Sequence, residues 1–207
     1  LLIINGEKMK KLLILLTSVL MSTSIFALDS TYNVTSDYHW RGVSQTDGNA
    51  AIQVGVEHER NGFYGGLWTS NVDFNDDTNI EYDLYGGYSG GFKSLSYDVG
   101  YIAYKYDGST DLDFEERYIS LGYGPLTVGH NRDEDNGLEY NYADVSLGFI
   151  PVVDVSLHYG EYDGHDDKSI LIEYGLPHNL TLGVVFNDGP LSEVKNDSFV
   201  ISLSSVF

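Results

Sequence analysis

The stretch Asp197-Ser198-Phe199-Val200-Ile201-Ser202-Leu203-Ser204-Ser205-Val206-Phe207 alternates apolar with small polar residues and ends on an aromatic. Side chains of a strand project alternately to its two faces, so Phe199, Ile201, Leu203 and Phe207 share one face and Ser198, Ser202 and Ser204 the other. Lipid outside and water within is the environment such a strand suits, which is the pattern of a transmembrane β-barrel. Ser205 is the one polar residue on the apolar face. The terminal Phe207 has the character of the assembly signal that barrel-assembly machinery reads in this class of protein.

The other end of the chain carries an export pattern. Lys10 and Lys11 form a positive segment, residues 12–16 and 19–21 are apolar, and Ala27 supplies a small residue for cleavage. Thr17, Ser18, Ser22, Thr23 and Ser24 interrupt the apolar run, which falls short of the ~20 residues a spanning helix requires. The expected organisation is therefore an untranslated leader over 1–8, a cleaved signal peptide over 9–27, and a single barrel domain over 28–207. The destination implied is the bacterial outer membrane.

Composition agrees. The 207 residues hold 31 acidic and 11 basic side chains, a net charge of −20, and removal of 1–27 takes away three lysines and one glutamate. That balance excludes nucleic acid as a partner recognised through a basic surface. Seventeen tyrosines and 23 glycines fit strands with interfacial aromatics and close-packed small residues. With no cysteine, neither disulfides nor a thiolate metal site can form.

A period of two predicts about twelve strands, an even number as in closed bacterial barrels. They cover 30–41, 49–60, 62–72, 80–89, 93–106, 114–123, 125–132, 138–149, 152–162, 168–176, 179–187 and 198–207. One set of connections is short: Asn61-Gly62, Gly90-Gly91, Gly124-Pro125, Ile150-Pro151 and Pro177-His178. The other is longer and acidic, at 41–48, 73–79, 107–113, 133–137, 163–167 and 187–197. Short periplasmic turns and longer outer loops are the asymmetry of an outer-membrane barrel, and they place both termini in the periplasm. The fold expected is an all-β, closed, antiparallel transmembrane barrel.

Each segment sorts into two faces. Val54, Val56, Phe63, Leu67, Leu84, Val99, Ile119, Leu121, Leu157, Ile170, Ile172 and Leu182 take the outward parity. Asp37, Arg41, Glu57, Asp83, Asp98, Glu116, Asp144, Asp154 and Glu173 take the opposite one and are the candidate pore-lining residues. A carboxylate facing hydrocarbon would be costly, which supports this assignment. A soluble β-sandwich is the structural rival, since it also produces short alternating strands.

Two stretches carry a family resemblance. Residues 37–48, Asp-Tyr-His-Trp-Arg-Gly-Val-Ser-Gln-Thr-Asp-Gly, followed by Gln53, and residues 62–74, Gly-Phe-Tyr-Gly-Gly-Leu-Trp-Thr-Ser-Asn-Val-Asp-Phe, resemble the N-terminal half of the TorF family, whose members are named as candidate porins. Residues 81–90 and 95–100 continue the likeness, which then weakens to pattern. Members often carry Pro where Ala50 stands here. The resemblance implies an outer-membrane barrel more firmly than it implies transport.

Within the first of these stretches, Arg41, Gln45 and Asp47 could be presented to solute by a loop folded toward the pore. The structural reading is that Arg41 pairs with Asp37 or Asp83 while Thr46-Asp47-Gly48 makes a turn. Enzymatic patterns are poor: the six histidines lie on different segments, and no HExxH, nucleophile elbow or phosphate loop occurs. His130 with an outward serine would be the place to seek a lipid-modifying activity, but an interfacial histidine is ordinarily just tolerated. Residues 133–137, Asp-Glu-Asp-Asn-Gly, lack the full EF-hand pattern. No catalytic residue, metal site or cofactor is expected.

The function expected is passive diffusion of small solutes, with small cations or neutral molecules preferred. A barrel with an occluded interior, filled by Tyr64, Trp68, Tyr85 and Tyr104 and serving a structural or surface-interaction role, is the competing class. Other partners expected are outer-membrane lipid, lipopolysaccharide and the assembly machinery. Changing Phe207 to Asp is expected to lower the amount of protein inserted in the outer membrane, measured by fractionation. Normal levels of that variant would remove the assembly-signal reading.

Overall fold

The computed structural model describes residues 28–108, 110–148, 152–188 and 197–207. The expected leader and signal peptide over 1–27 lie outside the described residues. The strands are β1 (Asp29–Thr35), β2 (His39–Trp40), β3 (Val43–Ser44), β4 (Ala51–Arg60), β5 (Phe63–Asn71), β6 (Ile80–Phe92) and β7 (Leu95–Tyr106). They continue as β8 (Phe114–Tyr123), β9 (Leu126–Asp133), β10 (Glu139–Ser146), β11 (Val153–Tyr162), β12 (His165–Leu176), β13 (Leu180–Asp188) and β14 (Asp197–Val206).

Twelve of these close into one antiparallel barrel, each strand pairing with its neighbours in sequence; β2 and β3 pair only with each other. Closure is made by β1 against β14, with Thr31 opposite Val206 and Thr35 opposite Ser202. Ser30 and Phe207 exchange backbone hydrogen bonds of 2.9 Å in both directions, so the ladder runs through the last residue. The Ser205 hydroxyl donates to Asn179 O at 2.9 Å, which satisfies the one polar group on the apolar face.

The turns follow residue chemistry. Asn61 and Gly62 (φ 56° and 85°) join β4 to β5, and Asp163 and Gly164 (φ 45° and 82°) join β11 to β12. Positive φ at both central residues matches the twist of paired strands, and Asn-Gly or Asp-Gly supplies it at low cost.

Register carries one face round the ring. Gln53 is opposite Ser70, Trp68 opposite Asp83, Asp83 opposite Tyr104, and Glu116 opposite Asp133. This face points into the lumen. The other holds Ile52, Phe63, Leu84, Leu121, Leu126, Phe186 and Phe199, all exposed. Buried residues include Glu81, Asp83, Glu116, Asp133 and Asp167, while only a handful of apolar side chains are buried. A sandwich would bury its apolar face between sheets. Here that face is outermost, as a lipid-facing wall requires.

Tyrosines lie flat over glycines on the lumenal face. A Cβ at Gly87 would overlap the Tyr64 hydroxyl, and one at Gly100 the Tyr118 hydroxyl. The bare glycines let Tyr64 and Tyr118 bring their hydroxyls to 2.5 Å from each other, with Asp98 accepting from Tyr64 at 2.6 Å.

Three expectations are corrected. The segment expected over 30–41 is a strand only to Thr35, after which the chain leaves the wall. The turn expected at Gly90-Gly91 falls at Lys93 and Ser94, because both glycines pair within β6 and β7. The acidic loop expected over 163–167 is a two-residue turn, and Asp166 and Asp167 belong to β12. Ile150-Pro151 and most of the loop over 187–197 lie outside the described residues.

Gly87→Val forces overpacking against Tyr64, for which about 1–3 kcal/mol is typical. It is expected to lower the fraction of barrel that migrates as folded on an unheated gel. Gly175→Ala, where a Cβ meets nothing within 4 Å, should match the parent.

Candidate functional site: the barrel lumen

Beyond Thr35 the chain turns into the barrel instead of arching over it. Asp37 anchors the change of direction: its carboxylate accepts from the Ser44 hydroxyl at 2.6 Å and lies 2.8 Å from Thr46 Oγ1 and 2.7 Å from His39 Nε2. Thr46 is fully buried and accepts the Tyr38 N–H at 3.1 Å. Between these anchors β2 and β3 form a minimal hairpin whose turn is Arg41 and Gly42 (φ 48° and 78°).

The hairpin tip delivers Arg41 to the far wall. Its guanidinium donates two parallel hydrogen bonds to Glu116 on β8, at 2.8 and 2.7 Å. The side chains are 7% and 1% exposed. Desolvating such a pair is costly, and bidentate geometry alone seldom repays it. The remaining groups around it matter. Asn131 donates to Glu116 at 3.1 Å, and the Arg41 guanidinium lies 4.1 Å from the Trp40 ring centre, 4.3 Å from Tyr140 and 4.9 Å from Tyr162. Ring faces attract cations most strongly where water is excluded. Trp40 in turn meets Tyr104 and Phe114 edge-on, and Tyr38 packs against Trp68 at 5.4 Å. The pairing expected from sequence, with Asp37 or Asp83, is thus replaced by Glu116. Asp37 is already committed to the hairpin's own groups.

Trp40 and Arg41 divide the lumen. A cavity of about 600 Å³ is lined by Tyr38, Trp40, Arg41, Trp68, Asp83, Tyr85, Ile102, Tyr104, Tyr118, Asn131, Tyr140 and Tyr142. A second, of about 280 Å³, is bounded by Trp40, Arg41, Val43, Gln45, Tyr106, Phe114, Tyr162, His165, Asp166 and Asp167. The two residues common to both are the partition.

The other candidates fall as follows. Glu57 faces the lumen beside the Tyr85 hydroxyl. Asp83 is 6% exposed and lines the larger cavity. Asp98 holds Tyr64, as above. Asp144 accepts from His158, with Nδ1 to Oδ1 at 2.6 Å. Asp154 and Glu173 stand directly opposite each other on β11 and β12 at the short-turn end, as Asp29 and Glu57 do on β1 and β4. Like charges so placed repel. Gln45 borders the smaller cavity, while Asp47 is exposed at the loop surface (φ 50°). His130 points outward, with Nδ1 2.8 Å from Asn141 Oδ1. Asp133 caps the 134–138 connection by accepting the N–H groups of Asp135 and Asn136.

Several lumen residues escaped sequence reasoning. Glu81 shares the parity of Asp83 two residues on, so the signal was present. His158 shares the parity of Asp154 and bridges Asp144 and Asp167, the latter at 3.1 Å. Asp167 was hidden by the loop assignment. Trp40 gave no signal, because nothing in its spacing separates a wall from a hairpin.

Charge is sorted more strictly than the candidate set suggested. Arg60, Lys105, Arg117, Arg132 and Lys168 all take outward register positions on their strands, and Lys93 lies in a turn. Among the described residues Arg41 is the only Lys or Arg in the lumen. The family model described as "Bacterial protein of unknown function (Gcw_chp)" matches residues 21–188. No curated protein sequence matches the chain. Among solved structures, the chain is similar to the KdgM porin, with a TM-score of 0.63 at 8% identity over 87% of this chain and 97% of that one. It is likewise similar to the KdgM porin in complex with disordered oligogalacturonate, at 0.62 and 9% identity over 87% and 98%. The NanC porin in a rhombohedral crystal form gives 0.54 and 10% identity over 87% and 98%. These likenesses are of fold.

Glu116→Gln leaves Arg41 as an unbalanced buried charge, a change that costs about 3–5 kcal/mol when one side of a buried pair is removed. The expected outcome is an undocked hairpin, read as protease cleavage within 36–50 while the barrel stays heat-modifiable. Arg41→Gln combined with Glu116→Gln should cost less than the two singles summed; strict additivity would mean that the pair does not hold the hairpin.

Proposed function

The chain belongs to the Gcw_chp family of bacterial proteins of unknown function, and from that premise we propose that it is an outer-membrane porin-like channel for small cations and neutral solutes. The observation that carries the reading is the charge sorting. Glu57, Glu81, Asp83, Asp98, Asp144, Asp154, Asp167 and Glu173 take lumenal register positions, against one guanidinium already matched by Glu116 and the His158 ring that Asp144 and Asp167 share. Carboxylates along a narrow lumen raise cation occupancy and repel anions. The KdgM porin has been captured with oligogalacturonate, a polyanion. A lumen whose single Lys or Arg among the described residues is already paired offers such a chain no free guanidinium or ammonium, so this barrel is read as serving a different solute class.

The same reading places the export signal at 9–27, both termini and the short turns in the periplasm, and the long loops outside. Phe207 is read as the assembly signal, and the surrounding partners as outer-membrane lipid and lipopolysaccharide. The resemblance to the TorF family belongs with it, and no enzymatic activity is assigned. A second reading, a barrel with an occluded interior, is favoured by one observation: the Trp40–Arg41 partition between the two cavities.

Planar bilayers separate them. The channel reading expects conductance and a cation-selective reversal potential under a KCl gradient at low salt, with Asp154→Asn and Glu173→Gln together moving that potential toward zero. At ~1 M salt the screening length is about 3 Å and selectivity should weaken. Anion selectivity at low salt would overturn the cation preference. A silent parent whose Glu116→Gln variant conducts would establish the occluded reading instead.

A further inference from the structure

Resting on the channel reading only for how a ligand enters, we propose that the larger cavity is a binding site for a small organic cation, an amine or quaternary ammonium, with Asp83 as its counter-ion and aromatic rings as its walls. Glu81 and Asp83 are two residues apart on β6 and therefore share its lumenal face. They are 2% and 6% exposed. Tyr106 donates to Glu81 Oε1 at 3.3 Å, but Glu81 Oε2 and Asp83 Oδ1 have no hydrogen-bond partner among the described residues. Arg41 is the one Lys or Arg in that lumen among the described residues, and both of its terminal nitrogens are engaged by Glu116, while the His158 ring is held by Asp144 and Asp167. Buried carboxylates short of partners are costly, and a cation seated against Asp83, the one of the two that lines the cavity, offsets that cost.

The walls select the kind of cation. Trp68, Tyr85, Tyr104 and Tyr118 line the cavity with Asp83. Rings of this type hold ammonium groups against their faces, with Trp the strongest. The chain already contains the arrangement: the Arg41 guanidinium sits between Trp40 and Tyr140 at 4.1 and 4.3 Å, against a carboxylate. One wall of the partition thus uses this chemistry internally, and the cavity beside it repeats the components with the cation's place open to a ligand.

Size and donor number exclude the simpler alternatives. At about 600 Å³ the cavity is within the range of small-molecule sites and far larger than a bare ion. Ca²⁺ and Mg²⁺ take six or more oxygen ligands, whereas Asp83 is the only carboxylate lining this space. Arg41 also lines the cavity, but its guanidinium is held by Glu116, which leaves Asp83 as the charged group open to a ligand.

The chain's two tryptophans, Trp40 and Trp68, both line the cavity, so intrinsic fluorescence reports its occupancy directly. The full chain in detergent is titrated at constant ionic strength with choline and with 3,3-dimethylbutan-1-ol, its uncharged carbon isostere. A saturable change with choline, at least 10-fold weaker with the alcohol and at least 10-fold weaker in Asp83→Asn, is expected. Glu139→Gln on the outer face should titrate like the parent. No saturable response to choline, equal binding of the two probes, or an unaltered Asp83→Asn titration overturns the site. Should Asp83→Asn fail to show a heat-shifted band, Tyr85→Leu decides: it removes a wall and keeps the acid, and unchanged choline affinity there counts against the proposal. Conductance in KCl without a choline response removes the site and leaves the channel. Choline binding in a barrel that carries no current does the reverse.

Discussion

The arrangement of the interior depends on one ion pair, Arg41 with Glu116. A guanidinium cannot be neutralised by shedding its proton, so a chain that buries one must bring a carboxylate, further acceptors or ring faces to it. Glu116 alone would not offset the desolvation of both partners; Asn131, Trp40, Tyr140 and Tyr162 complete the shell. That requirement explains why Trp40 precedes Arg41 and why Asp37, Ser44 and Thr46 are tied into a rigid base beneath them. It also fixes the electrostatics elsewhere: once Glu116 is matched, the remaining lumenal acids have no Arg or Lys to balance them.

The barrel was largely legible because its physics is periodic. A polar interior and an apolar outer wall impose a repeat of two on every strand, and residues such as Leu84, Asp83 and Ile119 declare their side by polarity alone. Turn chemistry was equally readable at Asn61-Gly62, where the dihedrals demand those residue types. What the pattern could not convey was depth. Residues 37–41 keep the parity of β1 and are as aromatic as a wall strand, so nothing local distinguishes a strand in the wall from a hairpin standing inside it. The discriminating fact, that Arg41 has its partner 75 positions later on β8, is tertiary.

Two further misreadings share a cause, which is that one residue type has two uses. Gly90 and Gly91 resemble a turn, yet in this wall a glycine also makes room for a ring: a Cβ at Gly90 would press on Tyr97. Asp166 and Asp167 resemble a solvated loop, yet Asp163-Gly164 needs only two residues to reverse the chain, and a barrel can turn an acid inward. Asp167 then serves Tyr140 and His158 rather than bulk water. Composition records how many acids there are and is silent on which are enclosed.

The hairpin also has a mechanical consequence. A closed ring of hydrogen-bonded strands resists stretching round its circumference, but it can flatten toward an ellipse without losing a single ladder bond. Arg41 is tethered through its own chain to β1 and β4, and it grips β8. On the ring β5, β6 and β7 separate β8 from β4, and β9 through β14 separate it from β1. The link therefore crosses the barrel as a strut rather than lying along one wall. Flattening would have to stretch or buckle that strut, so the buried ion pair works as a brace on the cross-section, and a load that squeezes the ring is carried in part by two hydrogen bonds at its centre.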